Sequence, residues 1–344
     1  MRLLVTGGAG YIGSHVVRAL LRAGHRAVVL DDLKEGHRAA VPRTGDVRLV
    51  VGDIADPASL QAAGDDGPID GVIHMAASCL VGASMTKPGL YFDNNVIRTL
   101  RLVEMCLQRG IGRFVFSSTA AVYGDPGEAA GCAPQPIVED SPCRPTNVYG
   151  ETKLSVERAL DWYARCTGMR TVSLRYFNAA GADPAGDIGE DHNPETHLVP
   201  LLCKVALGRL PKVTILGRDY PTPDGTCLRD YVHVNDLASA HLLALESLDR
   251  PGGPGLRVYN LGAEKAASVL EVLEAARRIT GRSIPAEDGP RRAGDPPVLL
   301  ASSARLRSEL GWRPGLSDLD TIIETAWRWH LGHPAGYSER PILT

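Results

Sequence analysis

The sequence has no run of about 18 apolar residues, the length a helix needs to cross a bilayer. It has no C-x-x-C pair either. The seven cysteines (Cys79, Cys106, Cys132, Cys143, Cys166, Cys203 and Cys227) are odd in number and scattered, which argues against a disulfide framework or a zinc site. No metal is expected. An excess of positive charge is also missing: the formal net charge of −3 argues against a nucleic-acid binder, which needs a clustered excess of Lys and Arg. Lysine is scarce, at six against 31 arginines, so each Lys merits inspection. No internal repeat is visible. The opening MRLLVTGG passes from a strand into a glycine turn, without the apolar stretch and cleavage site of a signal peptide, and the expected compartment is the cytoplasm.

What is present is the composition of a globular protein, 44% hydrophobic and 22% charged over 344 residues. Short β-branched runs alternate with helical patterns through the first 180 residues. Strands are expected at Leu3–Thr6, Ala27–Asp31, Val47–Val51, Gly71–Met75, Phe114–Ser118 and Thr171–Tyr176, several of them apolar throughout, as parallel strands covered on both faces must be. Ile12, Val16, Ala19 and Leu20 share one helical stripe, which Gly24 closes. The alternation predicts an α/β fold, a doubly wound parallel sheet of Rossmann type. After Ala180 the elements shorten and Gly and Pro multiply. We therefore expect a dinucleotide-binding domain over 1–180 and a smaller α/β substrate-binding lobe over 181–344.

Gly7, Gly10 and Gly13 fall between the first strand and the first helix with G-x-x-G-x-x-G spacing. Glycines there permit a tight turn, close approach of backbone to a pyrophosphate, and helix–strand contact. The helix start offers free N–H groups and the positive end of its dipole. Asp31 and Asp32 end the second strand, where a carboxylate accepts from ribose hydroxyls and repels a 2′-phosphate, favouring NAD over NADP. Asp53 closes the third strand, within reach of an adenine edge or simply as a turn residue.

Tyr149 and Lys153 stand four residues apart on one face of a helix entered after Pro145. A phenol titrating near ~10 is a poor base at neutral pH, and lowering it by two or three units requires roughly 3–4 kcal/mol. A neighbouring ammonium and a cationic nicotinamide together supply an effect of that size, so a depressed Tyr149 is expected. The fifth strand ends in Ser117, Ser118 and Thr119, pointing toward the same site. Spacing alone does not say which hydroxyl bridges the proton.

With these motifs the chain resembles the extended short-chain dehydrogenase/reductase family, and within it the UDP-galactose 4-epimerases. The likeness runs through nearly the whole chain: GGAGYIGSH, Asn94–Val96, Leu174–Asn178, Asp219 to Val234 and Arg291–Pro297. It implies a C4 epimerisation of a UDP-hexose through a 4-keto sugar, with NAD retained and a homodimer formed by helices following Tyr91 and Tyr149. It implies Thr119 as the catalytic hydroxyl, Tyr149 as base and Lys153 as its partner. Tyr11, Ile12, Asp31, Asp53, Ile54, Ala76, Asn95 and Phe177 match cofactor-binding positions. Asn178, Leu198, Arg229, Arg292 and Asp295 match positions holding the UDP-sugar, where a guanidinium fork suits a diphosphate.

Four residues depart from the family pattern. Thr119 replaces the commoner Ser. Cys79 stands where some members carry a Lys near the cofactor, and His197 where Asn is frequent. Leu299, at the family's gate position, lies between the aromatics that restrict the pocket and the small residues that admit N-acetylated sugars; non-acetylated substrates are expected. Epimerases of uronates or pentoses share this machinery. Nucleotide-sugar 4,6-dehydratases carry Asp-Glu after the strand-end Thr, where this chain has Ala120-Ala121. A redox-inactive NAD sensor would not need Tyr149, Lys153 and Thr119 together. His74 reads as a satisfied core histidine, Trp312, Trp327 and Trp329 as packing residues. The pairs Glu139-Asp140 and Glu190-Asp191 read as solvated loop charges, and Gly124 to Arg144 as an exposed loop.

Overall fold

The computed structural model describes residues 1–125, 135–250, 255–292 and 295–337. Cys132 and part of the Gly124–Arg144 segment lie outside the described residues. The first half runs β1 (Arg2–Thr6), α1 (Tyr11–Arg22), β2 (Arg26–Asp31), β3 (Val47–Val51), α2 (Pro57–Gly64) and β4 (Gly71–His74). It continues with α3 (Val81–Thr86), α4 (Pro88–Tyr91), α5 (Arg98–Gln108), β5 (Arg113–Thr119), α6 (Val148–Thr167) and β6 (Arg170–Tyr176). The second half holds β7 (Asn178–Ala180), α7 (Leu198–Ala206), β8 (Val213–Leu216), β9 (Leu228–His233), α8 (Val234–Ser247) and β10 (Arg257–Leu261). It ends with β11 (Ala266–Ser268), α9 (Val269–Thr280), β12 (Ala286–Gly289), β13 (Val298–Leu299), α10 (Ala304–Leu310) and α11 (Leu319–Gly332). Among the described residues no helix is long and apolar enough to cross a membrane.

Seven parallel strands form the large sheet in the order β10-β6-β5-β4-β1-β2-β3. The side chains of β1 show why its strands are apolar without alternation. Leu3 and Val5 pack toward α1 and α8, while Leu4 packs toward α2, α5 and α6, and all three are fully buried. Ala27 and Val29 against Val28 and Leu30 repeat the division in β2. Each such side chain contributes about 1.5–3 kcal/mol on burial. The order reverses between β1 and β4, and a crevice opens there beyond the carboxyl ends of the strands.

The expected boundary after residue 180 does not part the chain cleanly. Two later elements return to the large sheet: α8 packs on α1, and β10 extends the sheet beside β6. The reason is that the α1 face of the sheet needs a second apolar helix, and α8 supplies Leu237, Ala240, Ala244 and Leu245. The smaller lobe is built from β9 with β7, β11 and β13, the β8–β12 pair, and α7, α9 and α11 around their own core.

Candidate active site

A cleft of about 690 Å³ opens over the switch between β1 and β4 and is lined from the glycine turn to Tyr149 and Lys153. The turn requires its glycines. Gly7 has φ +71°, and a Cβ there would stand 2.6 Å from the Ala76 nitrogen; at Gly13 it would stand 2.1 Å from the Gly7 carbonyl oxygen. The chain thus passes close under the cleft floor and into α1. That helix has no side-chain N-cap and no acid in its first turn, so its leading N–H groups at Tyr11, Ile12 and Gly13 are left for a ligand.

Asp31 is buried at the tip of β2. Its carboxylate accepts from the Ala9 and Leu33 amides, both at 2.9 Å, which leaves lone pairs directed at the cleft. Burial raises its pKa, and these two hydrogen bonds oppose that. Asp32 is more exposed and pairs with Lys34 at 2.6 Å. Asp53 pairs with Arg98, and with Ile54 and Ala76 it lines the same end of the cleft.

The strand-end trio divides. Ser117 Oγ is engaged with His241 Nε2 at 2.8 Å, Ser118 is buried, and Thr119 lines the cleft. Thr119 Oγ1 accepts from the Ala121 amide at 3.1 Å and also reaches the Tyr149 phenol. The α6 helix begins at an Asn147 cap whose side chain accepts from the Gly150 amide at 2.8 Å. Tyr149 and Lys153 then project from its buried face. Lys153 Nζ donates to the Ser117 carbonyl at 2.8 Å and lies 6.0 Å from the centre of the Tyr149 ring. Burial pushes the Lys153 ammonium down to about 8. Without the cationic nicotinamide on which the expected depression rests, burial, with Tyr176 and Cys79 nearby, drives the Tyr149 phenol well above its ordinary value, and the Thr119 hydrogen bond opposes this. The protein surroundings alone keep the phenol protonated. Cys79 also lines the cleft, its thiol pushed up to about 12 by burial.

Other expected residues stand elsewhere. Asn95, in a π-helical turn over Phe92–Ile97, is not on the cleft wall. Its amide accepts from the Ser78 N–H at 2.8 Å and donates to the Ser78 carbonyl and Thr152 Oγ1 at 3.0 and 3.1 Å, so it ties the cleft loop to α6. Phe177 and Asn178 line the cleft, whereas Leu198, Arg229, Arg292, Asp295 and Leu299 do not. Arg229 and Asp295 pair with each other at 2.9 Å. Leu299 runs beside Arg229 in the small sheet and packs on the cluster that contains Phe177.

The buried partner of α6 was not marked by the motifs. Glu157, one turn beyond Lys153, forms a buried pair with Arg175 of β6 at 2.6 Å, and Arg175 reaches the Tyr123 hydroxyl at 2.9 Å. This network holds α6 against the sheet. Its signal was the third member of a Tyr-x-x-x-Lys-x-x-x-Glu series. The acid pairs are not solvated loop charges as expected. Glu190 is buried against His192 and His197, and Asp191 accepts from the Tyr337 amide at 2.9 Å. Glu139 is buried, accepting from the Asn260 amide at 2.8 Å, and only Asp140 is solvated. His74 is a satisfied core histidine between Thr6 and Thr99, at 2.6 and 2.7 Å. Trp312 and Trp329 are fully buried and Trp327 packs on the small-lobe core.

Comparison with known proteins agrees with this geometry. The UDP-glucose 4-epimerase of Halalkalibacterium halodurans is 51% identical over 338 residues, covering 98% of each chain. A solved UDP-glucose 4-epimerase, 47% identical, superposes with a TM-score of 0.92 over 98% of this chain and 100% of the other. The Bifidobacterium longum UDP-glucose 4-epimerase, solved in complex with NAD+ and UDP, is 36% identical with a TM-score of 0.89, covering 98% and 100%. A family model spans residues 3–262, from the glycine turn through β10. The glycine turn, the Tyr149–Lys153 pair and the likeness along the whole chain converge: this protein belongs to the NAD dependent epimerase/dehydratase family.

Proposed function

We propose that this chain inverts C4 of a UDP-hexose, interconverting UDP-glucose and UDP-galactose. The observation that carries the reading is the meeting of Thr119, Tyr149 and Lys153 in one cleft with the glycine turn. The cleft fits NAD: Gly7 and Gly13 leave no room for a side chain, α1 starts uncapped, and Asp31 stands at the ribose end. Gly7, Gly10, Tyr11, Ile12 and Gly13 would hold its pyrophosphate, Asp31 and Asp32 its ribose hydroxyls, and Asp53, Ile54, Ala76 and Phe177 its rings. Bound there, NAD would supply the hydride acceptor for C4 and the return of hydride to the opposite face.

Thr119 and Tyr149 receive the proton of the C4 hydroxyl in this scheme and give it back. Lys153 favours the phenolate by its charge, and together with the cofactor's cationic ring it must overcome the burial that otherwise holds Tyr149 protonated. Asn178, Leu198, Arg229, Arg292 and Asp295 would grip the nucleotide, with Leu299 at the sugar. Ala120 and Ala121 carry no proton, which disfavours elimination of water. The described cysteines are free thiols, in keeping with a reducing cytoplasm.

Incubation of the purified protein with UDP-galactose and no added cofactor is the test, followed by NMR. UDP-glucose should appear, and Tyr149→Phe should slow its formation by at least ~100-fold. A 4-keto-6-deoxy product would mean dehydratase chemistry, and no turnover even with added NAD would point to another UDP-sugar. We further propose a homodimer through the face carrying Leu90, Phe92, Ile97 and Trp162, all large apolar side chains left exposed on α4, the π-helical turn and α6. Light scattering should give twice the chain mass, and Trp162→Glu should shift it toward the monomer. An unchanged dimer in that variant would move the interface elsewhere.

A further inference from the structure

The loop entering α7 reads Glu190-Asp-His192-Asn-Pro-Glu195-Thr-His197, and its four Glu and His side chains converge at the cleft wall, which Glu190, His192 and His197 line. One ligand atom from each lies within 4.8 Å of all the others. Glu190 Oε1 stands 2.8 Å from His197 Nδ1 and 3.1 Å from His192 Nδ1. Glu195 comes to 3.2 Å from His197 Nδ1 and 3.9 Å from His192 Nδ1. Four ligands about 2.0–2.1 Å from one tetrahedral ion sit roughly 3.3 Å from each other. The observed separations bracket that spacing.

A purely hydrogen-bonded cluster accounts for less. The Glu195 side chain is only 3% exposed, and its Oε1 is served by the Thr196 and His197 amides at 2.8 and 2.9 Å. Its Oε2, equally buried, has no hydrogen-bond donor, an arrangement that is costly for a carboxylate unless a cation meets it. Both imidazoles turn the same nitrogen, Nδ1, toward the same Glu190 oxygen. Glu190 and Glu195 are paired with no Lys or Arg among the described ion pairs.

We propose that Glu190, His192, Glu195 and His197 bind one divalent transition-metal ion, zinc by the chemistry of the donors. Two imidazoles select against magnesium and calcium, which take oxygen ligands in larger shells. Four protein ligands fill a tetrahedron and leave no open position, the mark of a structural rather than a catalytic site. The ion would tie the cleft loop to the start of α7, with His192 edge-on to Tyr11 at 6.2 Å, and so fix the wall between α1 and the smaller lobe. This inference does not depend on which sugar the cleft accepts.

The full chain, stripped with a chelator and dialysed, is titrated with Zn²⁺ alone and with Co²⁺ alone. One ion per chain is expected, with the intense visible absorption of tetrahedral cobalt. Glu195→Gln keeps the side-chain shape and should weaken Zn²⁺ binding roughly 100-fold or more, as should His192→Ala. Added Zn²⁺ should raise the melting temperature of the parent protein and leave that of both variants unmoved. Both variants should melt like the parent in chelator, which separates lost binding from lost folding. Stoichiometry far below one, or binding that persists unchanged in both variants, overturns the proposal.

Discussion

At the scale of single residues the site is governed by desolvation more than by charge pairing. Lys153 is almost fully buried and touches a carbonyl rather than a carboxylate, so burial alone pushes it down to about 8. A buried ammonium without an acidic partner is a burden on folding. Lys153→Met should therefore lower turnover at least ~100-fold while costing no more than about 1 kcal/mol of stability. Steady-state rates and urea midpoints on one preparation would check this; a loss of several kcal/mol would make Lys153 a structural residue first. The strand-end trio teaches a related lesson. Ser117, Ser118 and Thr119 are equivalent as letters, yet Ser117 is drawn to His241 on α8 and only Thr119 meets the cleft. Strand alternation sets Ser118 apart, but nothing local to the strand separates Ser117 from Thr119.

Elements position these residues through their ends and one packed face. The α6 helix carries Tyr149, Lys153 and Glu157 at successive four-residue steps, and the Glu157–Arg175 pair locks the register of that face on β6. The smaller lobe uses a cap for the same purpose. Ser268 caps α9 in a capping box with Glu271 and also donates to Asp224, at 2.5 Å, in the loop before β9. Ser268→Ala should cost about 1 kcal/mol, read as a shift of the urea midpoint at constant slope. An unshifted midpoint would mean that water replaces both contacts. Strand and helix positions were legible in advance because they are local. Val47–Val51 matched end for end, four other strands of the first half differed by one residue at one end, and β5 by one residue at each end. The return of α8 and β10 to the large sheet was not legible, because nothing in their own residues specifies which sheet they join.

Over the whole molecule the buried histidines set the response to acid. Burial lowers His74 to about 3 and His15, His233, His241 and His330 to about 4. Above pH 6.5 these rings are neutral in both folded and unfolded chains and contribute nothing to the pH dependence. Below it the unfolded chain takes up protons that the folded chain refuses until near pH 4. Each ring should then remove about 1.4 kcal/mol of stability per pH unit across that window. The melting temperature should fall steeply from pH 6.5 toward 5, and a flat profile would show that the rings charge without unfolding. The amino-acid sequence by itself determined the doubly wound sheet, the phosphate turn and the pairing of Tyr149 with Lys153, since strand periodicity, glycine spacing and a four-residue helical step act within a few residues. The tertiary structure alone decided which hydroxyl faces the cleft, that burial raises the Tyr149 phenol, and that Glu190 gathers two histidines instead of facing water. Those outcomes depend on desolvation and on neighbours distant in the chain, and both arise only when the lobes pack.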